Sequence, residues 1–252
     1  TMEFSDGETV EIASENGLIP LSDVGGLAER DLEFNDQAVG TANANVSGSA
    51  SGGDVMVAID TSGSMYGTPI NQASSGAQKL VDNLGSGFDV GLVTFNSSAT
   101  TRNGLGASKS SVKQTLNGLN GNGGTDIGAG IDNAQAELEA NGDSATPNYI
   151  VVLSDGQSFG ARSAATDAKN DGTKIISVAY GAGADENLME DVSSPPKEDD
   201  GVIDGRDKNA FDGTTQSIGQ VFGQDISQVI TGFNTVVVED VTAKAGESVV
   251  VT

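Results

Sequence analysis

GGDVMVAIDTSGS, residues 52–64, holds an unbroken apolar run from Val55 to Ile59 that stops at Asp60. A strand that is apolar on both faces belongs inside a parallel sheet covered on both sides, because a sheet with one wet face would alternate. Downstream, the same signal recurs between helical patterns. Ile70 to Leu84 carries Ile70, Ala73, Ala77, Leu80, Val81 and Leu84 at helical spacing, and Val90 to Phe95 is a second strand. Ser108 to Leu119 reads as a helix with Ser108 as its N-cap, and Ile127 to Ala140 as another, with Ile131, Ala134 and Leu138 on one face. Tyr149 to Leu153 and Ile175 to Ala179 are buried strands flanking a helix from Ala161 to Asn170, and Ile218 to Ile230 forms the last helix. Alternation of this kind predicts an α/β fold: a doubly wound, mostly parallel sheet with helices on both faces.

Outside this block the pattern changes. Residues 1–51 read as extended or β structure, with a strand at Thr9 to Ile12, followed by the stretch GTANANVSGSASGG from Gly40 to Gly53. That composition is a linker's, and sets a boundary near residue 50, so the α/β domain spans 52–232. Residues 233–252 return to β character at Thr235 to Val241 and Ser248 to Thr252. DGETVEI (Asp6 to Ile12) and AGESVVV (Ala245 to Val251) share a pattern. Strands from the two chain ends are therefore expected in one small β unit.

Composition limits the chemistry. The chain has 252 residues, 36 acidic against 12 basic, and a formal charge of −24. Nucleic acid and anionic lipid are poor partners for such a surface. The acids lie among periodic apolar segments rather than in a tail, which is the pattern of a salt-adapted, halophilic surface. Neither Cys nor His occurs, which excludes thiolate and imidazole catalysis and the common zinc ligands. A bound metal must be hard and held by oxygen: magnesium, calcium or manganese. No apolar run approaches a membrane span, and no signal peptide is visible. Asn45 and Asn96 begin N-glycosylation sequons, weak pointers to an extracellular or cell-surface location.

Oxygen ligands do gather at predicted strand ends. Asp60, Ser62 and Ser64 follow the first buried strand, and Ser154-Asp155-Gly156 closes another. Between them the glycine-rich loop Gly121 to Asp126 (GNGGTD) brings Thr125 and Asp126 to a helix start. Each piece alone has an ordinary reading: serines capping a helix, a flexible loop, a turn pair. Together, in this order and context, they resemble the metal-ion-dependent adhesion site of von Willebrand factor A domains over about residues 52–232. The resemblance implies that Ser62, Ser64 and Thr125 bind the ion directly and that Asp60 and Asp155 act mainly through waters. It makes Asp126 an outer helper and leaves one coordination position for an Asp or Glu of a protein partner.

The expected function is a non-enzymatic, cation-dependent adhesion or surface-assembly module. Alternatives are a subunit of a self-assembling extracellular filament or surface layer, and a cytoplasmic scaffold beside an ATPase of the chelatase type. Haloacid-dehalogenase phosphatases would need an Asp where Ser62 stands. Asp204, Asp207, Asn209 and Asp212 form a further acidic cluster compatible with a calcium loop, though without EF-hand spacing. Ser193 to Asn209, with Pro195-Pro196, reads as an insertion before the last helix, and Arg102 and Arg162 as ion-pair residues.

Overall fold

The computed structural model describes residues 2–4, 9–10, 30–33, 52–155, 158, 160–181, 183–197, 203, 207–213, 217–231 and 248–251. The chain divides into two units, residues 1–49 with 232–252, and residues 50–231. In the first, β1 (Met2–Phe4) pairs antiparallel with both β2 (Thr9–Val10) and β3 (Arg30–Glu33). The C-terminal strand Ser248–Val251 pairs with β3 in turn. Thr9–Val10 of one heptad and Ser248–Val251 of the other thus fall in one sheet, separated by β3 and β1. The expected strand at Thr235 to Val241 lies outside the described residues.

The second unit is the α/β domain. Its sheet contains β4 (Gly53–Asp60), β5 (Phe88–Phe95), β6 (Ala99–Asn103), β7 (Asn148–Ser154), β8 (Lys174–Ala179) and β9 (Ala210–Asp212). They lie in the order β6-β5-β4-β7-β8-β9. Every pairing is parallel except β5 with β6. Its helices are α1 (Thr68–Asn83), α2 (Lys109–Asn117), α3 (Ile127–Asn141), α4 (Ala161–Asn170) and α5 (Glu186–Val192). A closing helix runs through α6 (Ile218–Gln220), a π-helical stretch (Val221–Ile226) and α7 (Ser227–Thr231).

Strand alternation explains the apolar run at the centre. Val55, Val57 and Ile59 enter one core with residues of α1, α2 and the closing helix, while Met56 and Ala58 enter a second core with α3, α4 and α5. With both faces covered, each fully buried Val, Ile or Leu contributes about 1.5–3 kcal/mol. The chain runs from β4 to β5 on one side of the centre, and later from β7 to β8 on the other. Helix α1 after β4 and α4 after β7 accordingly cover opposite faces. The crevice between the carboxyl ends of β4 and β7 is where open α/β sheets collect ligands.

Candidate metal centre

Asp60 is the last residue of β4, and Asp155 directly follows β7. After Asp60 the main chain stays tied to β5 for one residue: the amide and the hydroxyl of Thr61 both donate to the Phe95 carbonyl, at 2.7 and 3.0 Å. It then turns sharply, as the Ser62 amide donates to Asp60 Oδ1 at 2.7 Å, the short-range bond by which Asp favours turns. A single 3₁₀ turn follows, Gly63–Met65. It brings Ser62 Oγ and Ser64 Oγ to 3.0 Å from one another. From there the hydroxyl of Ser64 donates to Asp155 Oδ1 at 2.7 Å, and that of Ser154 to Asp60 Oδ2 at 2.5 Å. Four hydroxyl and carboxyl side chains from two neighbouring strand ends therefore form one connected cluster, with Ser154 bracing its inner carboxylate.

The serines do not cap a helix. Helix α1 begins later, behind Gly67 in a left-handed backbone conformation (φ +83°), and no side chain caps it. Ser62 makes no capping bond to the 3₁₀ turn either.

The glycine loop packs against this turn through its backbone. Asn122 N–H donates to the Thr61 carbonyl at 2.7 Å, and Gly63 N–H to the Gly123 carbonyl at 3.0 Å. A Cβ at Gly121 would stand 2.5 Å from the Tyr66 nitrogen and 2.7 Å from the Ser62 carbonyl oxygen, so no larger residue fits. Thr125 follows, partly exposed; among the described residues its hydroxyl makes no hydrogen bond to the cluster. Asp126 caps α3 by accepting from the Ala129 amide at 3.0 Å. The start of α3 is also tied to the segment after β7, since Ile127 N–H donates to Ser158 Oγ at 2.9 Å.

Electrostatically the cluster is one-sided. Asp60 and Ser62 are buried, Asp155 is half-buried and Ser64 is exposed. Burial pushes the Asp60 carboxyl above the usual carboxylate range, hydrogen bonds from Ser154 and Ser62 work against that, and the nearby charge of Asp155 adds to it. A divalent cation would neutralise the pair, and hydroxyls can rotate their protons away to offer lone pairs. Two carboxylates with two or three hydroxyls, and no nitrogen or sulfur, form a donor set suited to magnesium, which takes few carboxylates and keeps waters. Among the described residues no group of three or more acidic side chains converges as a metal cage.

Two neighbours were not read as site residues from the sequence. Ser154 was visible only as part of a turn. Tyr180 directly follows β8, donates its hydroxyl to Gln72 on α1, and has its phenol pushed up by burial and by the charge of Asp155. Its place at the end of an apolar run was the available signal.

Other expectations fare differently. Asn96 has both ends of its carboxamide engaged: Nδ2 donates to Asn122 at 3.2 Å and Oδ1 accepts from the Ser98 amide at 3.3 Å. A glycan on Nδ2 would have to break the first of these bonds. Asn45 lies outside the described residues, as does Asp204. Of the remaining acidic cluster, Asp207 is buried, Asp212 lies in β9, and Asn209 donates to the Ser194 and Pro195 carbonyls at 2.7 and 2.8 Å. Arg162 pairs with Asp191 at 2.5 Å, whereas Arg102 stands exposed on β6 with no ion pair among the described residues.

Comparison with known proteins agrees with this architecture. Proximal thread matrix protein 1 of the mussel byssus, in a structure with a zinc-occupied MIDAS motif, superposes with a TM-score of 0.59 at 20% identity, over 73% of this chain and 46% of that one. The vWF domain of the type V pili tip protein Mfa5 from Porphyromonas gingivalis gives 0.59 at 13% identity, over 73% of this chain and 96% of that one. The pilus adhesin SpaC from Lactobacillus rhamnosus GG, in its open conformation, gives 0.58 at 14% identity, over 80% and 31%. The chain thus spans about half the length of the mussel protein and about a third of the adhesin. No curated protein sequence matches it. The profile of the von Willebrand factor type A domain matches residues 54–217, and the chain belongs to that family.

Proposed function

We propose that the chain is a non-enzymatic, divalent-cation-dependent protein-binding module of the adhesion or surface-assembly kind. Asp60, Ser62, Ser64, Thr125 and Asp155 would hold the ion, magnesium first and calcium or manganese next, with Asp126 supporting them from the start of α3. The observation that carries this reading is the bonded series Asp60–Ser62–Ser64–Asp155, which crosses from one strand end to the other through the exposed hydroxyl of Ser64. The ion supplies a local positive charge with a position open to an Asp or Glu of a partner. With no Cys or His in the chain, thiolate and imidazole catalysis have no place beside the cluster.

The pilus and byssus neighbours carry the same fold in adhesive and matrix proteins, which favours an extracellular setting. The charge of −24 fits a salt-adapted surface. No helix among the described residues is long and apolar enough to cross a membrane. A second reading, subunit of a filament or surface layer, is favoured by the small sheet. Among the described residues β2 and the strand Ser248–Val251 each have a single neighbour, so either edge can receive a strand from another copy.

The test is affinity capture from native surface extract by the wild-type chain in Mg²⁺, in EDTA, and by the variant Asp60→Ala, Ser62→Ala in Mg²⁺. Partners held only in the first condition support the reading. Partners held in all three remove the metal from the mechanism.

A further inference from the structure

The loops around the site bring no cation of their own to this face. The segments that follow β4, β5, β7, β8 and β9 leave the sheet on this side, and the α2–α3 loop from Gly118 to Asp126 packs against the first of them. None contains Lys or Arg, while Asp126, Asp155 and Asp185 all lie in them. Lys79 of α1 reaches the rim of this face, its ammonium group beside Gly219 and Ser217, and other basic residues of the domain are engaged or placed elsewhere. Arg162, nearest along the chain, is committed to Asp191 and Asn187 of α5. Lys109 donates to the carbonyls of Leu84 and Gly85, beyond the far end of α1, and Lys113 pairs with Asp82. In α3, burial pushes the Asp132 carboxyl up, and the charges of Asp167 and Asp126 add to it.

On the same face stands Tyr66, 68% exposed and the single large apolar side chain left exposed among the described residues. Its backbone is fixed, because its amide donates to the Gly63 carbonyl at 3.2 Å and Gly121 closes against its nitrogen. A rigid turn that buries Met65 and offers Tyr66 to solvent, two residues after Ser64, presents an aromatic surface on the same turn as both serines. Aromatic faces attract cations, Arg above all, and Tyr is among the residues that dominate binding hot spots.

We propose that the ligand of this face is a single carboxylate set among basic side chains, with Tyr66 as the specificity-determining residue that receives a flanking Arg or Lys. The inference rests on the cation-dependent reading above. One partner carboxylate goes to the ion; the other charges it brings meet the aspartates of these loops and an aromatic ring, with Lys79 at the rim beside Ser217. Basic flanks are attracted here and acidic flanks repelled.

The experiment uses the full chain and three immobilised peptides: one Asp flanked by Arg and Lys, the same Asp flanked by Glu, and the basic peptide with Ala for the Asp. Affinities are measured in Mg²⁺ and in EDTA, from low to molar salt, for wild type, Tyr66→Ala and Tyr66→Phe. The expected result is at least ten-fold tighter binding of the basic-flanked peptide in Mg²⁺. Added salt should weaken that binding and strengthen the acid-flanked one, as attraction and repulsion are screened in turn. Tyr66→Ala should lose several-fold affinity for the basic-flanked peptide alone, and Tyr66→Phe should keep it. Equal affinity for the two Asp peptides, both lost in EDTA, would overturn the inference and leave the metal-dependent reading standing. Binding that survives EDTA, binding of the Ala peptide equal to that of the Asp peptide, or no binding at all would overturn both.

Discussion

Asp54 and Asp60 lie near opposite ends of one strand, β4, and both are buried, yet the chain treats them differently. Asp54 Oδ2 accepts from the backbone amide of Asp143 at 2.6 Å, with the Thr146 hydroxyl farther off at 3.4 Å. It pins the turn between α3 and β7. Asp60 faces one amide, two serine hydroxyls and a second carboxylate. An amide is a fixed donor that cannot turn its hydrogen aside, so a carboxylate satisfied by amides is finished structure. Hydroxyls can swing their protons away and become ligands beside the carboxylate they served. The kind of donor around a buried acid, more than its burial, separates a staple from a metal site.

The largest expected effect splits the two aspartates. Asp54→Ala should lower unfolding stability by about 1–3 kcal/mol, because the Asp143 amide loses its acceptor, and should leave magnesium affinity unchanged in calorimetry. Asp60→Ala should lose about 10- to 100-fold in magnesium affinity, in addition to whatever stability the Ser62 amide and Ser154 hydroxyl lose with their acceptor. Matching behaviour of the two variants would end the comparison.

Next in size is Gly121→Ala. Its Cβ would press on the Tyr66 nitrogen and Ser62 carbonyl, which should cost about 1–3 kcal/mol by overpacking. Metal affinity should drop with it, because the turn holding both serines must shift. Chemical denaturation and magnesium titration on one preparation would check both effects.

The fold was legible where burial is complete and dim where it is not. The apolar runs of β4, β5, β7 and β8 mark themselves, because two covered faces leave no polar alternation. β6 reads ATTRN and was missed: an antiparallel edge strand with alternate residues exposed carries no apolar run. β9 has three residues and α5 seven, too short for periodicity. The closing helix was expected to be uniform from Ile218 to Ile230, but Val221–Ile226 is π-helical. One extra residue in a turn hardly alters an apolar stripe. At the site, Asp60, Ser62, Ser64 and Asp155 were legible because order and spacing survive in one dimension. Ser154 and Tyr180 were not, because their roles depend on β7 and β8 lying beside β4 and α1. Asp54 escaped notice for the same reason: its partner is 89 residues away.

A smaller effect concerns pH. The folded Asp60 carboxyl lies above its unfolded value, so its ionised form costs stability at neutral pH without metal. That cost disappears as pH falls through the folded value toward the unfolded one. Thermal unfolding of the metal-free chain should therefore show a relief on acidification that Asp60→Asn lacks, and magnesium should abolish the relief by favouring the ionised form. The smallest effect lies outside the cluster. Asp132, whose carboxyl is pushed up by burial and by the charges of Asp167 and Asp126, should gain less than about 0.5 kcal/mol on change to Asn at low salt, and molar salt should reduce the gain.

The most direct measurement is calorimetric titration of the metal-free chain with magnesium, in wild type and in the variant Ser62→Ala, Ser64→Ala. One saturable ion per wild-type chain, absent from the serine variant while its fold is retained by circular dichroism, is the expected result. Saturable binding of equal strength in both proteins, or none in the wild type, would contradict the claim that these hydroxyls hold a cation.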